Sequence, residues 1–514
     1  MLKYNLEITN TTCNLDGHGS KLCMLINNQY PGPVITANWG DTLIINVKNS
    51  LQDNGTSIHW HGIRQLNSCQ HDGANGVTEC KRPIAPGKTK TYKFLCTQFG
   101  TTWYHSHHSA QYGDGVVGTM VINGPATANY DIDLGPVALS DWYYKTAFEL
   151  NALAMQSARG PPLPDNILVN GKMVNAGEGG EYMTMTVTKG KKYRLRLINT
   201  STDTHFHVSL DGHPFTVITS DFVPVKPYVT SDVQLNIGQR HDVIFTANQA
   251  VANYWLRVGV STGCGNNAMI GIKPIGGIIS YAGSPAGLPT STGVTLGTGC
   301  GDESVTPYVA NVVPKDPFVA TLKQISLDFL RSEATGNLVT WPINGSAMRV
   351  DWDKPTLQYV MDGNTDYPRA HNVIEMPNNQ WYYWVIQTVT VAGPRLAHPI
   401  HLHGHDFYVL GTGGGTFSGS ADGLNFANPI RRDVATLPAG GWMVLAFPAD
   451  NPGAWLMHCH IAWHVSQGLS LQFLERKSEI QSTIGDLSGF TQGCNEWKSY
   501  WASDRYWEQD DSGL

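Results

Sequence analysis

The chain has 514 residues, of which 15% are charged and 10% aromatic, with 54 Gly and 28 Pro spread without a collagen-like period. At about 150 residues per domain this length excludes a lone small module and predicts several separate cores, while the low charge excludes a disordered chain. Net charge is -7, from 34 Lys+Arg against 41 Asp+Glu, and no dense basic run offers a face to nucleic acid.

No stretch reaches the roughly 18 apolar residues that a membrane helix needs. Lys3, Asn5 and Glu7 interrupt the first ten residues, where a secretory signal would be apolar. Asn-Xaa-Ser/Thr sequons begin at Asn10, Asn54, Asn199 and Asn344, and there are 9 cysteines, read as eight in bridges and an odd one left for chemistry. Both features predict a secreted, extracellular product whose signal has been removed, with no membrane attachment.

Period-two runs of Val, Ile, Thr and aromatics mark strands at Thr42 to Val47, Thr91 to Leu95, Tyr182 to Val187, Tyr193 to Ile198, Val243 to Phe245 and Trp381 to Ile386. Gly, Pro, Asn and Asp separate them, so the expectation is all-β, with helix confined to short connectors and the region near the C-terminus. A weak repeat sets the domain count. Each third has a His-Xaa-His (His59 and His61; His205 and His207; His401 and His403) and, later, an aromatic strand around Trp103, Trp255 or Trp455. Three β-sandwiches in series follow, at 1-125, 126-300 and 301-514, with the Gly/Pro/Ser/Thr-rich stretch from Gly283 to Pro307 as the second linker.

Four histidine clusters dominate the chemistry: His59 with His61, His105 with His107, His398 with His401 and His403, and His458-Cys459-His460 with His464. On a strand, residues i and i+2 share a face, so each His-Xaa-His presents two imidazoles side by side. One such pair is readily explained as buried, hydrogen-bonded histidine; four spread over the chain are not. Neutral imidazoles with one thiolate and no carboxylate cluster suit copper or zinc rather than magnesium or calcium. Zinc is the weaker fit, because structural zinc takes closely spaced cysteine pairs and catalytic zinc three ligands. Cys459, His464 and an upstream histidine, for which His398 is chosen, form the His₂Cys set of a blue-copper electron-transfer site. His458 and His460 flank Cys459 and must face the other way. The remaining eight imidazoles suit three coppers, and four one-electron centres match the four electrons that take dioxygen to two waters.

These motifs resemble the multicopper oxidases and, within them, the laccases of filamentous ascomycete fungi. The resemblance is carried by His59-Trp60-His61-Gly62 with Asp72-Gly73 downstream, by the stretch from His398 to His405, by that from Gly453 to His464, and by Asp511-Ser512-Gly513-Leu514. It implies three sequential cupredoxin-like Greek-key β-sandwich domains and four copper ions. Type 1 copper would be held by His398, Cys459 and His464, type 2 by His59 and His401, and the type 3 pair by His61, His105, His107, His403, His458 and His460. The three-copper site would lie between the first and third domains, while His205 and His207 in the second bind no copper. The terminal four residues would enter the channel to that site. Leu469 matches the type 1 axial position; a leucine cannot coordinate, which implies a higher potential than a methionine would give.

The resemblance also assigns Asp72 as a proton relay beside type 2 copper, against a plain reading as a turn residue before Gly73. It assigns Asp221 as the carboxylate that accepts the phenolic proton near His464, against a loop cap. Trp381 to Trp384 would be core more readily than pocket wall. It suggests disulfides Cys80–Cys494 and Cys264–Cys300; Cys13–Cys23 and Cys69–Cys96 are guesses for the remainder. Lys81-Arg82 depart from the family, which more often has Pro there. The resulting expectation is a monomeric, lignin-degrading type of fungal laccase, oxidising phenols and aromatic amines with dioxygen. Its nearest rival is a metallo-oxidase such as a ferroxidase, and a rival of another class is a copper carrier that does no catalysis.

Overall fold

A computed structural model describes residues 1–79, 83–156, 160–264, 275–331, 338–352, 354–389, 394–485, 499–500 and 510–514. The expected strands form at Thr42–Asn49, Thr89–Leu95, Thr184–Val187, Lys192–Asn199, Arg240–Thr246 and Trp381–Thr388. Helices are short, the longest among the described residues being Ala147–Gln156, and none is long and apolar enough to cross a membrane.

Apart from a two-stranded ribbon of Leu330–Arg331 and Val339–Thr340, the strands of the described residues assort into three consecutive pairs of sheets. The first pair joins Lys21–Ile26, Leu2–Cys13, Thr42–Asn49 and Thr89–Leu95 in one sheet, and Gly32–Asn38, Val117–Asn123, Gly100–His105 and His59–Trp60 in the other. Leu6, Leu43 and Tyr92 from one sheet meet Ile35, Trp60 and Met120 from the other in a shared core. The second pair has six strands led by Asn166–Val169 and five led by Thr184–Val187, closing on Val137, Leu195, Phe206 and Leu256. The third has five strands from Lys323–Leu327 to Ile430–Arg432, and five from Val373–Met376 to Val434–Leu437. Trp384, Leu445, Ile400 and Leu471 lie in its core and Tyr383 in a second cluster with Phe318 and Val444, so Tyr383 and Trp384 are packing residues. Strands adjacent in the sheets are mostly not adjacent in sequence, the crossover order of Greek-key sandwiches.

Two disulfides form as expected, Cys13–Cys23 and Cys264–Cys300. The Cys69–Cys96 pairing does not: both are buried free thiols. Cys69 packs with Trp455 and Leu456 of the third unit, whereas Cys96 sits in the core of the first. Reading eight cysteines as bridged therefore overcounts. Cys80, Lys81, Arg82 and Cys494 lie outside the described residues. Burial pushes both free thiols up to about 12, so they stay protonated and inert while the fold holds. Alkylation after unfolding without reductant is expected to label Cys69, Cys96 and Cys459 and to leave Cys13–Cys23 and Cys264–Cys300 linked; a recovered Cys69–Cys96 peptide would contradict the packing.

Candidate metal centre

Strand register decides which histidines meet. In the third unit, Gly453–Cys459 pairs antiparallel with His398–Leu402, setting Ile400 opposite Cys459 and His401 opposite His458. Because faces alternate, Cys459 shares the side of Ile400 and His398, while His458 and His401 share the other. In the first unit, His59 pairs with His105, and the backbone N–H of His61 donates to Trp103 O at 3.1 Å. All ten histidines of the four clusters are buried.

On one face, three ligand atoms converge. His398 Nδ1 lies 3.2 Å from His464 Nδ1, and Cys459 Sγ lies 3.7 Å from the first and 3.5 Å from the second. Burial lowers both imidazoles, His398 to about 3, so both nitrogens are neutral donors of a lone pair. Trp341 covers both rings, with centroids at 4.9 and 4.7 Å, and its indole N–H donates to Gln467 Oε1. Leu469 is buried beside them, its backbone O accepting from Cys459 N and its N–H donating to His464 O.

On the other face, eight imidazoles from two units close around one centre. His59, His61 and His401 form one group, His61, His105 and His460 a second, and His107, His403 and His458 a third, with the ligand atoms of each group within 4.8 Å of one another. His59 Nε2 and His401 Nε2 approach to 3.4 Å. Rings from the two units stack face to face, His59 on His403 at 3.8 Å and His61 on His401 at 3.9 Å.

The outer nitrogens fix the tautomers. The Nδ1–H groups of His59 and His401 donate to the carbonyls of Asp72 and Asp433, each at 2.8 Å. Those of His105 and His458 donate to Ser106 O at 3.0 Å and Cys459 O at 2.8 Å. His403 Nδ1 donates to Asp72 Oδ2 at 2.8 Å. The inward Nε2 atoms of His105, His403 and His458 are buried with no hydrogen-bond partner, as are both ring nitrogens of His460 and Nδ1 of His61, whose Nε2 lies 3.3 Å from Asp433 Oδ1. Buried polar atoms are ordinarily paired. A centre of inward, neutral, unpartnered imidazoles fits bound metal ions, and the imidazole and thiolate donor set fits copper.

Asp72, singled out by the resemblance, is fully buried and faces His59 and His403. Leu514 enters the cavity lined by His105, His107, His458 and His460. Asp511 accepts from Ser109 Oγ and Asn151 Nδ2, and Gly513 O from Trp352 Nε1, so residues 511–514 are tied down from several sides.

Asp221 is a correction. It lies far from an exposed edge, fully buried in a turn of left-handed backbone (φ 53°), and accepts from the N–H groups of Arg240, Asp433 and Val434. Burial alone would raise its carboxyl, but Arg240 and Arg432 outweigh that and hold it below the usual range. The next residue, Phe222, inserts into the core of the first sandwich, so this turn is part of an interface. The carboxyl that does accompany His464 is Asp203, in a pocket lined also by Pro161, His205, Cys264, Leu396 and Ile461. Its loop is built by buried Asp141, which accepts from Thr202 N at 2.8 Å and Asp203 N at 2.7 Å, and is pinned to the third unit by Ala462 N donating to Thr202 O. Burial, then Asp141, raise the Asp203 carboxyl well above the usual range. Its sequence signal was its place two residues before His205, in a polar loop ending a strand. Of the middle pair, His205 Nδ1 faces Asn236 Oδ1 at 3.1 Å and His207 Nδ1 faces Asp232 at 2.9 Å, so they diverge rather than form a pincer.

Family models described as multicopper oxidase match residues 7–127, 133–284 and 344–479. The chain is 56% identical to Laccase-3 of Botryotinia fuckeliana over 456 residues, covering 86% of this chain and 100% of that one. Among solved structures it is similar to the laccase from Botrytis aclada, with TM-score 0.91 and 43% identity over 100% of this chain and 94% of that one. It is also similar to Fet3p, a multicopper oxidase that functions in iron import, with TM-score 0.86 and 25% identity over 97% and 95% of the two chains. Ligand geometry, fold and relatives converge, and the chain belongs to the multicopper oxidase family.

Proposed function

We infer that the protein is a laccase, taking single electrons from phenols and aromatic amines and reducing dioxygen to two waters. The observation that carries this reading is the pairing of a buried His₂Cys triangle with an eight-imidazole centre reached through one cysteine and its two neighbours. His398, Cys459 and His464 would hold type 1 copper, His59 and His401 type 2, and the other six imidazoles the type 3 pair. When bound, these coppers supply the one-electron and four-electron redox chemistry. An electron-carrying protein needs only the first set; the second is what supports an oxidase.

The residues around the coppers have separate tasks. Cys459 joins both sites through its backbone bonds to His458 and His460, and its carbonyl also accepts the His458 Nδ1–H. Asp72, reaching His403 and facing His59, is placed to hold a proton where oxygen reduction consumes them. At the substrate edge, His464 is the electron entry and Asp203 the proton acceptor for a phenol seated against Leu396 and Ile461. Oxidising a phenol to a neutral radical releases a proton with the electron, so an adjacent carboxylate favours phenols over donors that lose an electron alone. The described disulfides and the exposed sequon asparagines Asn10 and Asn344 support secretion, and we read the protein as a monomer of three domains at 1-125, 126-300 and 301-514.

Dioxygen uptake by the copper-loaded protein is expected to be fast with 2,6-dimethoxyphenol, at four electrons per dioxygen and without peroxide. A kcat/KM for Fe(II) far above that for the phenol would make it a metallo-oxidase instead. Because Asp203 is raised, its base form appears only as pH increases, so phenol kcat/KM should climb with pH until that carboxyl ionises. Asp203→Asn is expected to flatten this limb and lower phenol kcat/KM by about 10²-fold, while leaving oxidation of a non-phenolic dye nearly unchanged; equal losses on both substrates would remove Asp203 from the role. Leu469→Met should lower the type 1 potential in a redox titration by adding a weak axial donor, and an unchanged potential would show that the axial residue does not set it.

A further inference from the structure

We propose that Arg240, from the middle sandwich, is a positioning residue for the three-copper site, acting through Asp433 on His61 and His401. This rests on the reading of the eight imidazoles as copper ligands. The guanidinium of Arg240 is fully buried and holds Asp433 with a two-pronged pair, Nη1 to Oδ1 at 2.5 Å and Nη2 to Oδ2 at 2.7 Å. Its Nε donates to Thr101 O at 3.0 Å and its Nη1 to Gly238 O at 3.2 Å. Asp433 in turn faces both metal-binding units: its Oδ1 lies 3.3 Å from His61 Nε2, and its backbone O accepts the His401 Nδ1–H at 2.8 Å. One ion pair therefore spans all three sandwiches, with Arg240 from the second, His61 and Thr101 from the first, and Asp433 and His401 from the third.

The surroundings are built to this pair. Asp221 accepts from the main-chain N–H groups of Arg240, Asp433 and Val434, clamping the two partners' backbones together. Gly62, next to His61, has positive φ, and a Cβ there would lie 2.5 Å from Asp433 Oδ2 and 2.6 Å from Arg240 Nη2. At Gly238 a Cβ would meet His460 and His61 at 3.1 Å. Both glycines let backbone approach where any side chain would push the ion pair or the imidazoles aside. Lysine cannot reproduce the arrangement, because a single ammonium cannot engage both carboxylate oxygens in a fixed plane.

The test measures copper, not only turnover. Holoprotein variants Arg240→Lys and Asp433→Asn would be purified, the blue type 1 band taken as the measure of correctly folded chain, and the type 2 signal quantified by electron paramagnetic resonance against it. Loss of a partner that orients a ligand weakens metal binding by about 10- to 100-fold, so the ratio of type 2 to type 1 copper is expected to fall with the blue band retained. Asp433→Asn, which preserves shape, carries the test if Arg240→Lys does not accumulate. Arg194→Gln is the control: Arg194 pairs with buried Asp242, which also accepts from Thr101 Oγ1, at the same interface but away from Asp433. A type 2 signal of unchanged ratio and hyperfine splitting in Asp433→Asn, and in Arg240→Lys where that variant accumulates, would overturn the proposal, as would an equal loss in Arg194→Gln. Absence of a type 2 signal in the unmodified chain would instead overturn the copper assignment itself.

Discussion

The rest of this fold is arranged around the burial of ten imidazoles. An imidazole moved out of water resists protonation, and several of these lie within contact of one another, so that each charge would also repel its neighbours. Burial is the leading cause of the lowered basicity at His61, His105, His107, His401, His403 and His460, with neighbouring histidines adding to it. A cluster of uncharged lone pairs in a dry interior is unstable as an isolated object and well suited to cations. The outward nitrogens are satisfied mostly by backbone carbonyls, which cannot titrate. For His59, His105, His401 and His458 the orientation of the ring is therefore a property of the main chain, whereas His403 and His61 depend on the carboxylates of Asp72 and Asp433.

Strand geometry does the sorting. A two-residue period is enough to send Cys459 to one metal site and His458 and His460 to the other, and the pairing of Ile400 with Cys459 and His401 with His458 extends the same division to the partner strand. For this reason the ligand set was legible from spacing: the alternation is local and each pincer carries it in its own three residues. Asp72 was not legible in this way: local sequence fits a turn residue before Gly73 equally well, and only the family resemblance singled it out.

What could not be read locally is what the three units do to each other. Asp221 sits in a turn that, taken alone, has the composition of an exposed loop, and only the packing of Phe222 into the first sandwich reveals it as buried. Asp203 has an equally ordinary sequence context and acquires its place from Asp141, about sixty residues upstream, and from one bond to Ala462. The cysteines make the same point. Counting them assumes that pairing is the default, yet Cys69 and Cys96 are buried in separate cores and serve as small apolar residues.

The seam between the middle and third units has a further consequence. Asp203 and His464 line one pocket from different sandwiches, and the loop from Thr200 to His205 contributes the first without supplying any residue of the His398, Cys459 and His464 triangle. The wall of the pocket and the ligand atoms beneath it can thus vary separately, because a substitution in that loop replaces no atom of the His398, Cys459 and His464 set.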